Sequence, residues 1–129
     1  MNDKKRLKSI WRSFETSDLP KDLKARPEKH AFEFSVDEGV GWEYVSYVIN
    51  GKETGFCRVS YIGPDVSRFV ERVENLADGK TEHFTWYDEP GEYHWLLSRK
   101  GDYIYVEAPG IEQGFFLSYD YFLNQLENY

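Results

Sequence analysis

"TEHFTWYDEPGEYHWLLSRKGDYIYVEAP", residues 81–109, is the stretch whose reading decides the fold. It packs three aromatic-rich runs around two turn signals, Pro90-Gly91 and Lys100-Gly101, and sets His83 and His94 among carboxylates. Apolar and polar residues alternating over runs this short mark half-buried strands. With each dipeptide at the centre of a turn, the first hairpin pairs Trp86 with Trp95, Tyr87 with His94 and Glu89 with Glu92. The second pairs Arg99 with Asp102, Trp95 with Val106 and His94 with Glu107. Side chains alternate faces along a strand, so one face collects Phe84, Trp86, Tyr93, Trp95, Leu97, Ile104, Val106 and Ala108. Both hairpins nominate that face as core. Pro-Gly prefers a type II turn, which twists hairpins poorly, and this leaves a longer first loop open.

The opposite face then carries His83, Thr85, Tyr87, His94, Leu96, Tyr103, Tyr105 and Glu107. In this register the two imidazoles stand roughly 13 Å apart, at ~3.3 Å per residue, too far for one metal ion. His94 falls between Tyr87 and Glu107, and a neighbouring acid raises a histidine pKa. Such a row has the parts for acid–base work. Rows of this kind are more often surface cross-strand pairs, so no catalytic residue, metal ligand or cofactor is assigned.

Working outward, "HAFEFSVDEG" (30–39) alternates Phe32, Phe34 and Val36 with polar residues and reads as a strand. "WEYVSYVINGKETGFCRVSYIG" (42–63) reads as a hairpin on Asn50-Gly51, the dipeptide that best tolerates a type I′ turn. That register places Glu43 opposite Arg58, an opposite-charge pair, with a longer loop through Gly55 as the alternative. In "PDVSRFVERVENLADG" (64–79), Val66, Phe69, Val70, Val73 and Leu76 form one helical stripe between a Pro64 or Asp65 start and a Gly79 stop. "GFFLS" (114–118) is a short strand, and Ser118 caps a last helix on Tyr119, Phe122, Leu123 and Leu126. At the other end, Leu7, Ile10, Trp11 and Phe14 predict an amphipathic helix over 3–15 with Lys4, Lys5, Lys8 and Arg12 toward water. Docking on the sheet is the expectation for it, and lying on an anionic membrane the alternative. Residues 15–30, "ETSDLPKDLKARPEKH", read as a connector.

The predicted fold is α+β: one antiparallel sheet of six or seven strands with an N-terminal, a middle and a C-terminal helix. A chain of 129 residues fits a single domain, 1–129, made of a basic helix and connector (1–30) and an acidic body (31–129). Residues 1–30 hold nine Lys/Arg against five acids, +4; residues 31–129 hold seven against 18, −11. A body so acidic repels nucleic acid and attracts basic proteins. With Cys57 the only cysteine, an intramolecular disulfide and a multi-cysteine zinc site are excluded. Cys57 alternates with Phe56 and Arg58 in a strand and reads as a small buried residue rather than a nucleophile. The basic start has no apolar run behind it, and nothing approaches the ~20 apolar residues of a membrane span. The cytoplasm is therefore the expected compartment.

No G-x-S-x-G, P-loop or GxGxxG is present, so nucleophile-elbow, phosphate-cradling and dinucleotide readings lack support. Glu71 and Glu74 lie one turn apart on a solvated helix face. Asp37, Glu38, Asp88, Glu89, Glu92 and Glu112 fall mostly in or beside turns; gathered at one end of a sheet, such acids would make a docking patch.

The run "WYDEPGEYHWLLSRKGDYIYV" (86–106) on a small, acidic, aromatic-rich chain resembles the small immunity proteins that bacteria encode beside polymorphic toxins. The resemblance implies a non-catalytic inhibitor that plugs a basic toxin with acidic and aromatic side chains. The expected binding face is Tyr87, Asp88, Glu89, Glu92, His94, Tyr103, Tyr105 and Glu107, and the expected partner a basic protein. The alternative is a small-ligand binder or enzyme with a pocket between helix and sheet near His94. Oligomeric state is not legible in the sequence.

Overall fold

A computed structural model describes residues 3–129. The order is α1 (Asp3–Glu15), α2 (Leu19–Ala25), a 3-10 turn (Pro27–Lys29), β1 (Phe32–Gly39), β2 (Trp42–Ile49), β3 (Glu53–Ser60), α3 (Val66–Glu74), β4 (Thr81–Tyr87), β5 (Glu92–Lys100), β6 (Tyr103–Glu107), β7 (Phe115–Ser118) and α4 (Tyr119–Glu127). The class is α+β with seven antiparallel strands. They form two sheets rather than one, β1-β2-β3 and β4-β5-β6-β7. Every ladder joins consecutive strands, and the break falls where α3 intervenes between β3 and β4. A helical connection imposes no register on the strands it joins. Here a side chain ties them instead: Arg58 Nη2 donates to the Asp88 carbonyl at 3.3 Å.

The three hairpins depart from registers centred on Asn50-Gly51, Pro90-Gly91 and Lys100-Gly101, and in β4–β5 the longer loop is the one that forms. In β2–β3, Glu43 lies opposite Val59 and Arg58 opposite Tyr44, because the connection spans Asn50, Gly51 and Lys52. Asn50 and Gly51 take φ 53° and 69°, and Lys52 N donates to Ile49 O at 3.1 Å. The physical reason is parity. Val45, Tyr47 and Ile49 must share a face with Cys57 and Val59, and a one-residue slip would turn one set to water. In β4–β5, Phe84 faces Trp95, Trp86 faces Tyr93 and Tyr87 faces Glu92. Asp88 to Gly91 make a loop closed by Asp88 N to Gly91 O, 3.0 Å. In β5–β6 the turn sits on Gly101-Asp102, with Gly101 at φ 59°, and Leu96 faces Glu107. The last two shifts are by two residues, so faces are kept. The expected core survives: Phe32, Phe34, Phe69, Val73, Phe84, Trp86, Trp95, Leu97, Ile104, Val106 and Phe122 are all buried.

One apolar cluster fills the space between the sheets and beneath α3 and α4. Phe69 of α3 packs on Phe84, Trp86 and Trp95, while Tyr47 of the three-stranded sheet meets Trp95 at 5.1 Å. The four-stranded sheet is thus covered on its inner face partly by helix and partly by sheet. Asp65 caps α3 by accepting from Arg68 N at 3.0 Å, and Ser118 caps α4 through Tyr121 N at 3.4 Å. Beyond α3, Arg99 donates to Leu76 O at 2.8 Å and lies 3.7 Å over the Tyr119 ring. The Tyr119 hydroxyl in turn donates to Val73 O at 2.5 Å. These contacts satisfy carbonyls that a helix end leaves free.

A second cluster lies on the outer face of the four-stranded sheet, where Leu7, Trp11 and Phe14 of α1 and Leu23 of α2 meet Leu96, Tyr105 and Phe116. Trp11 also donates its Nε1–H to Ser98 Oγ at 2.8 Å. The apolar stripe of α1 is therefore docked, as expected. Helix α2 is absent from the sequence reading, since its seven residues carry only Leu19 and Leu23 as periodic apolar positions, too few to stand out from a connector. Among the described residues no helix is long and apolar enough to cross a membrane.

Candidate functional site

The Tyr87-His94-Glu107 row does not form. The two-residue register shifts place Thr85 opposite His94, Glu92 opposite Tyr87 and Leu96 opposite Glu107. His94 is exposed; its Nδ1 lies 3.0 Å from Thr85 Oγ1 and its Nε2 3.2 Å from Glu92. The same shift brings His83 and His94 to a diagonal relation, nearer than the expected four-residue offset. Each nevertheless keeps its own acid, His83 pairing with Asp3 at 3.1 Å. No group of three His, Cys, Asp or Glu among the described residues is placed to hold a metal ion.

Glu107 serves α1 instead. Both its oxygens accept from Arg6, one of them at 2.9 Å, and it accepts from the Tyr105 hydroxyl at 2.7 Å. The Arg6 guanidinium, against the cost of burial and with help from Tyr105, holds this carboxyl below its ordinary range. Tyr105 is buried, and Tyr103 is half covered, packed on Phe14 and donating to Pro20 O at 3.2 Å. Three of the eight residues of the expected binding face, Tyr103, Tyr105 and Glu107, are thus the floor under α1 and α2. A helix with an apolar stripe buries the largest apolar area it can reach, and Leu96, Tyr105 and Phe116 supply it. Asp88 also has structural work, accepting from the Tyr93 hydroxyl at 2.9 Å. Of the expected set, Tyr87, Glu89, Glu92 and His94 remain at the surface.

The uncovered face belongs to the other sheet. On the outer side of β1-β2-β3, Trp42, Tyr44 and Val48 alternate with the buried Glu43, Val45, Tyr47 and Ile49, and Phe56 and Arg58 do so on β3. Among the described residues no helix covers this face, and Tyr44, Ser46 and Phe56 are exposed on it. Val40 in the β1–β2 turn and Tyr61 and Ile62 in the loop after β3 are exposed at one end of the same sheet, and Tyr87 of β4 packs against Gly63 of that loop. The Tyr44 and Phe56 rings stack at 6.3 Å, and the Arg58 guanidinium lies 4.2 Å over Trp42. The Tyr44 ring edge fits against Gly39, where an added Cβ would come within 2.6 Å, and Tyr87 fits likewise against Gly63. Tyr61 N donates to Gly41 O at 3.3 Å, which joins the β1–β2 turn to the loop before α3. Side-chain parity in "WEYVSYVI" held this face in view, since burying Val45, Tyr47 and Ile49 forces Trp42 and Tyr44 outward. That no element covers it is a tertiary fact.

Carboxylates gather at the same end. Glu38 lies directly opposite Glu43 in the ladder, and Glu43, 7% exposed, accepts from Val66 N at 3.2 Å beside Asp65. Burial, opposed by the Val66 N–H and reinforced by Asp65 and Glu38, pushes the Glu43 carboxyl above its ordinary range. Loss of water and the charges of Glu43, Glu38 and Asp65 also raise the Tyr61 hydroxyl. Two like charges directly across a ladder are unfavourable, and burial biases Glu43 of this carboxyl cluster toward its neutral form while Glu38 and Asp65 stand beside it.

A cleft of about 680 Å³ opens between α1 and β4–β5, lined by His83, Lys4, Lys8, Trp11 and Ser98. Cys57 is fully buried beside the Tyr47 hydroxyl (3.6 Å), and burial pushes its thiol up to about 11. No protein-family model, curated protein or solved structure matches the chain.

Proposed function

We propose that this chain is a non-catalytic protein-binding module that engages a basic protein, in the manner of an immunity protein that neutralises a toxin. The observation that carries the reading is the exposed, stacked Tyr44–Phe56 pair on the outer face of the three-stranded sheet, with Val40, Tyr61 and Ile62 exposed in the turn and loop at the end where Glu38, Glu43 and Asp65 lie. Contiguous exposed apolar patches rimmed by polar residues mark interaction surfaces, and aromatic residues are enriched in them. Negative charge beside the patch steers a cationic partner and repels an anionic one. Tyrosine offers large contact area with little rotamer freedom to lose.

The binding face is therefore centred on Tyr44, Phe56, Tyr61 and Tyr87, with Asp37, Glu38, Glu89 and Glu92 around it. The test is co-purification from the native host with the parent chain and with Phe56→Asp as bait, followed by binding measurements on the purified captured protein. A basic protein that binds the parent in a salt-sensitive manner, and binds a normally folded Phe56→Asp at least tenfold more weakly, supports the reading. A partner that binds both alike, or that is acidic, refutes it.

A further inference from the structure

We infer that the open edge of β1 takes an added strand: an extended segment of the partner, alternating basic and apolar residues, paired antiparallel along Phe34–Glu38. The inference rests on the basic-partner reading for its charge and on ladder geometry for its site. Asn50 N donates to Ala31 O at 2.8 Å, and the register sets Ala31 and Asn50 opposite one another. In an antiparallel pair the directly opposed residues alternate between bonded and non-bonded. Glu33, Ser35 and Asp37 thus bond to β2, while Phe32, Phe34, Val36 and Glu38 turn N–H and C=O away from it. At Phe32 both groups are met by the Tyr121 hydroxyl, at 2.9 Å to N and 3.2 Å to O. That contact caps the beginning of the edge. Among the described residues, no strand pairs with β1 on the edge away from β2.

Unpaired edges of this kind are templates for strand addition. Charge selects the occupant. Strand β1, "FEFSVDEG", carries Glu33, Asp37 and Glu38 and no Lys or Arg, so a second copy of β1 would bring two strands of like charge edge to edge, with the two Asp37 side chains diagonal to one another. A strand with Lys or Arg beside Glu33 and Asp37, and small apolar residues beside Phe34 and the half-buried Val36, extends both faces of the sheet in their own character. The uncovered aromatic face then continues directly onto the added strand.

The probe is a seven-residue peptide of alternating lysine and valine, with a glutamate-for-lysine peptide beside it, titrated into the full chain. Hydrogen exchange is read amide by amide. The lysine peptide is expected to slow exchange at Phe34, Val36 and Glu38 at least tenfold at saturation, with weaker binding as salt rises, while the glutamate peptide protects nothing. Val36→Pro removes an edge N–H that β2 does not use, a position where proline is tolerated. It should melt close to the parent and lose the protection. Lysine-peptide binding that leaves these three amides unprotected overturns strand addition while the basic-partner reading stands. Equal binding of the glutamate peptide overturns the basic-partner reading itself. No binding by either peptide, or a dimer through β1, overturns the inference, and the parent exchange data decide it even if Val36→Pro fails to fold.

Discussion

Trp11→Ala tests whether α1 is part of the fold. Trp11 is 7% exposed, sits edge-on to Phe14 and Phe116 at 5.5 and 5.2 Å, and donates to Ser98 at 2.8 Å. A tryptophan buries about 150–250 Å². At ~25 cal/mol per Å² that is about 4–6 kcal/mol as an upper bound. Measured losses for Trp→Ala run about 3–5 kcal/mol, so ~4 kcal/mol is expected. With an m value of about 2 kcal/mol/M in urea, the midpoint falls by about 2 M. Trp11→Phe keeps most of the apolar contact and gives up the hydrogen bond, whose net worth is about 0.5–1.5 kcal/mol. Ser98 keeps a second partner in Thr81 Oγ1 at 3.4 Å, which limits the loss. Urea melts of the three chains, with hydrogen exchange over α1 and β5–β7, make the measurement. Melting of Trp11→Ala with the parent, together with weakened binding to anionic vesicles, would show that α1 serves a membrane rather than the sheet.

Other outcomes follow from individual side chains. Burial raises the folded pKa of Glu43 above its unfolded value, so its favourable contribution is present at low pH and lost as pH rises through the folded pKa; Glu43→Gln should match or exceed the parent in melts at pH 7, and the gap should close toward pH 4. Glu107 is the reverse case, its folded pKa held down by Arg6, so its contribution is present at neutral pH and lost as pH falls. Glu107→Gln should cost about 1 kcal/mol at pH 7 for a pair about a third exposed, and nothing once the parent carboxyl is protonated. Charge reversal at Glu89 and Glu92 should slow association with a basic partner and flatten its salt dependence while leaving the melting temperature nearly unchanged. Tyr105→Ala, by contrast, should lower stability by about 3–5 kcal/mol as a core deletion under α1; an unchanged melt would return Tyr105 to the surface.

Periodicity along the chain carried α1, α3, α4 and seven strands, because a helix or a strand announces itself in the spacing of its own apolar residues. Face assignment was equally local. Phe84, Trp86, Trp95, Leu97, Ile104 and Val106 share a side whatever the turn length, provided the register moves by an even number of residues, and it moved by two. Pairing was not local. Whether Tyr87 or Thr85 meets His94 depends on how many residues the 88–91 loop consumes, and the Pro-Gly dipeptide allows more than one answer. The candidate site lay still further from the sequence. Tyr105 and Phe56 are both aromatic residues on strands, and nothing in their neighbours says that α1 will cover one and leave the other to water. That outcome depends on the split at α3, which leaves each sheet its own outer face, and on α1 and α2 having apolar side chains enough for one of them. The sequence by itself determined which residues could be buried. Tertiary packing decided which of them found cover, because burial is settled by contacts between segments far apart in the chain.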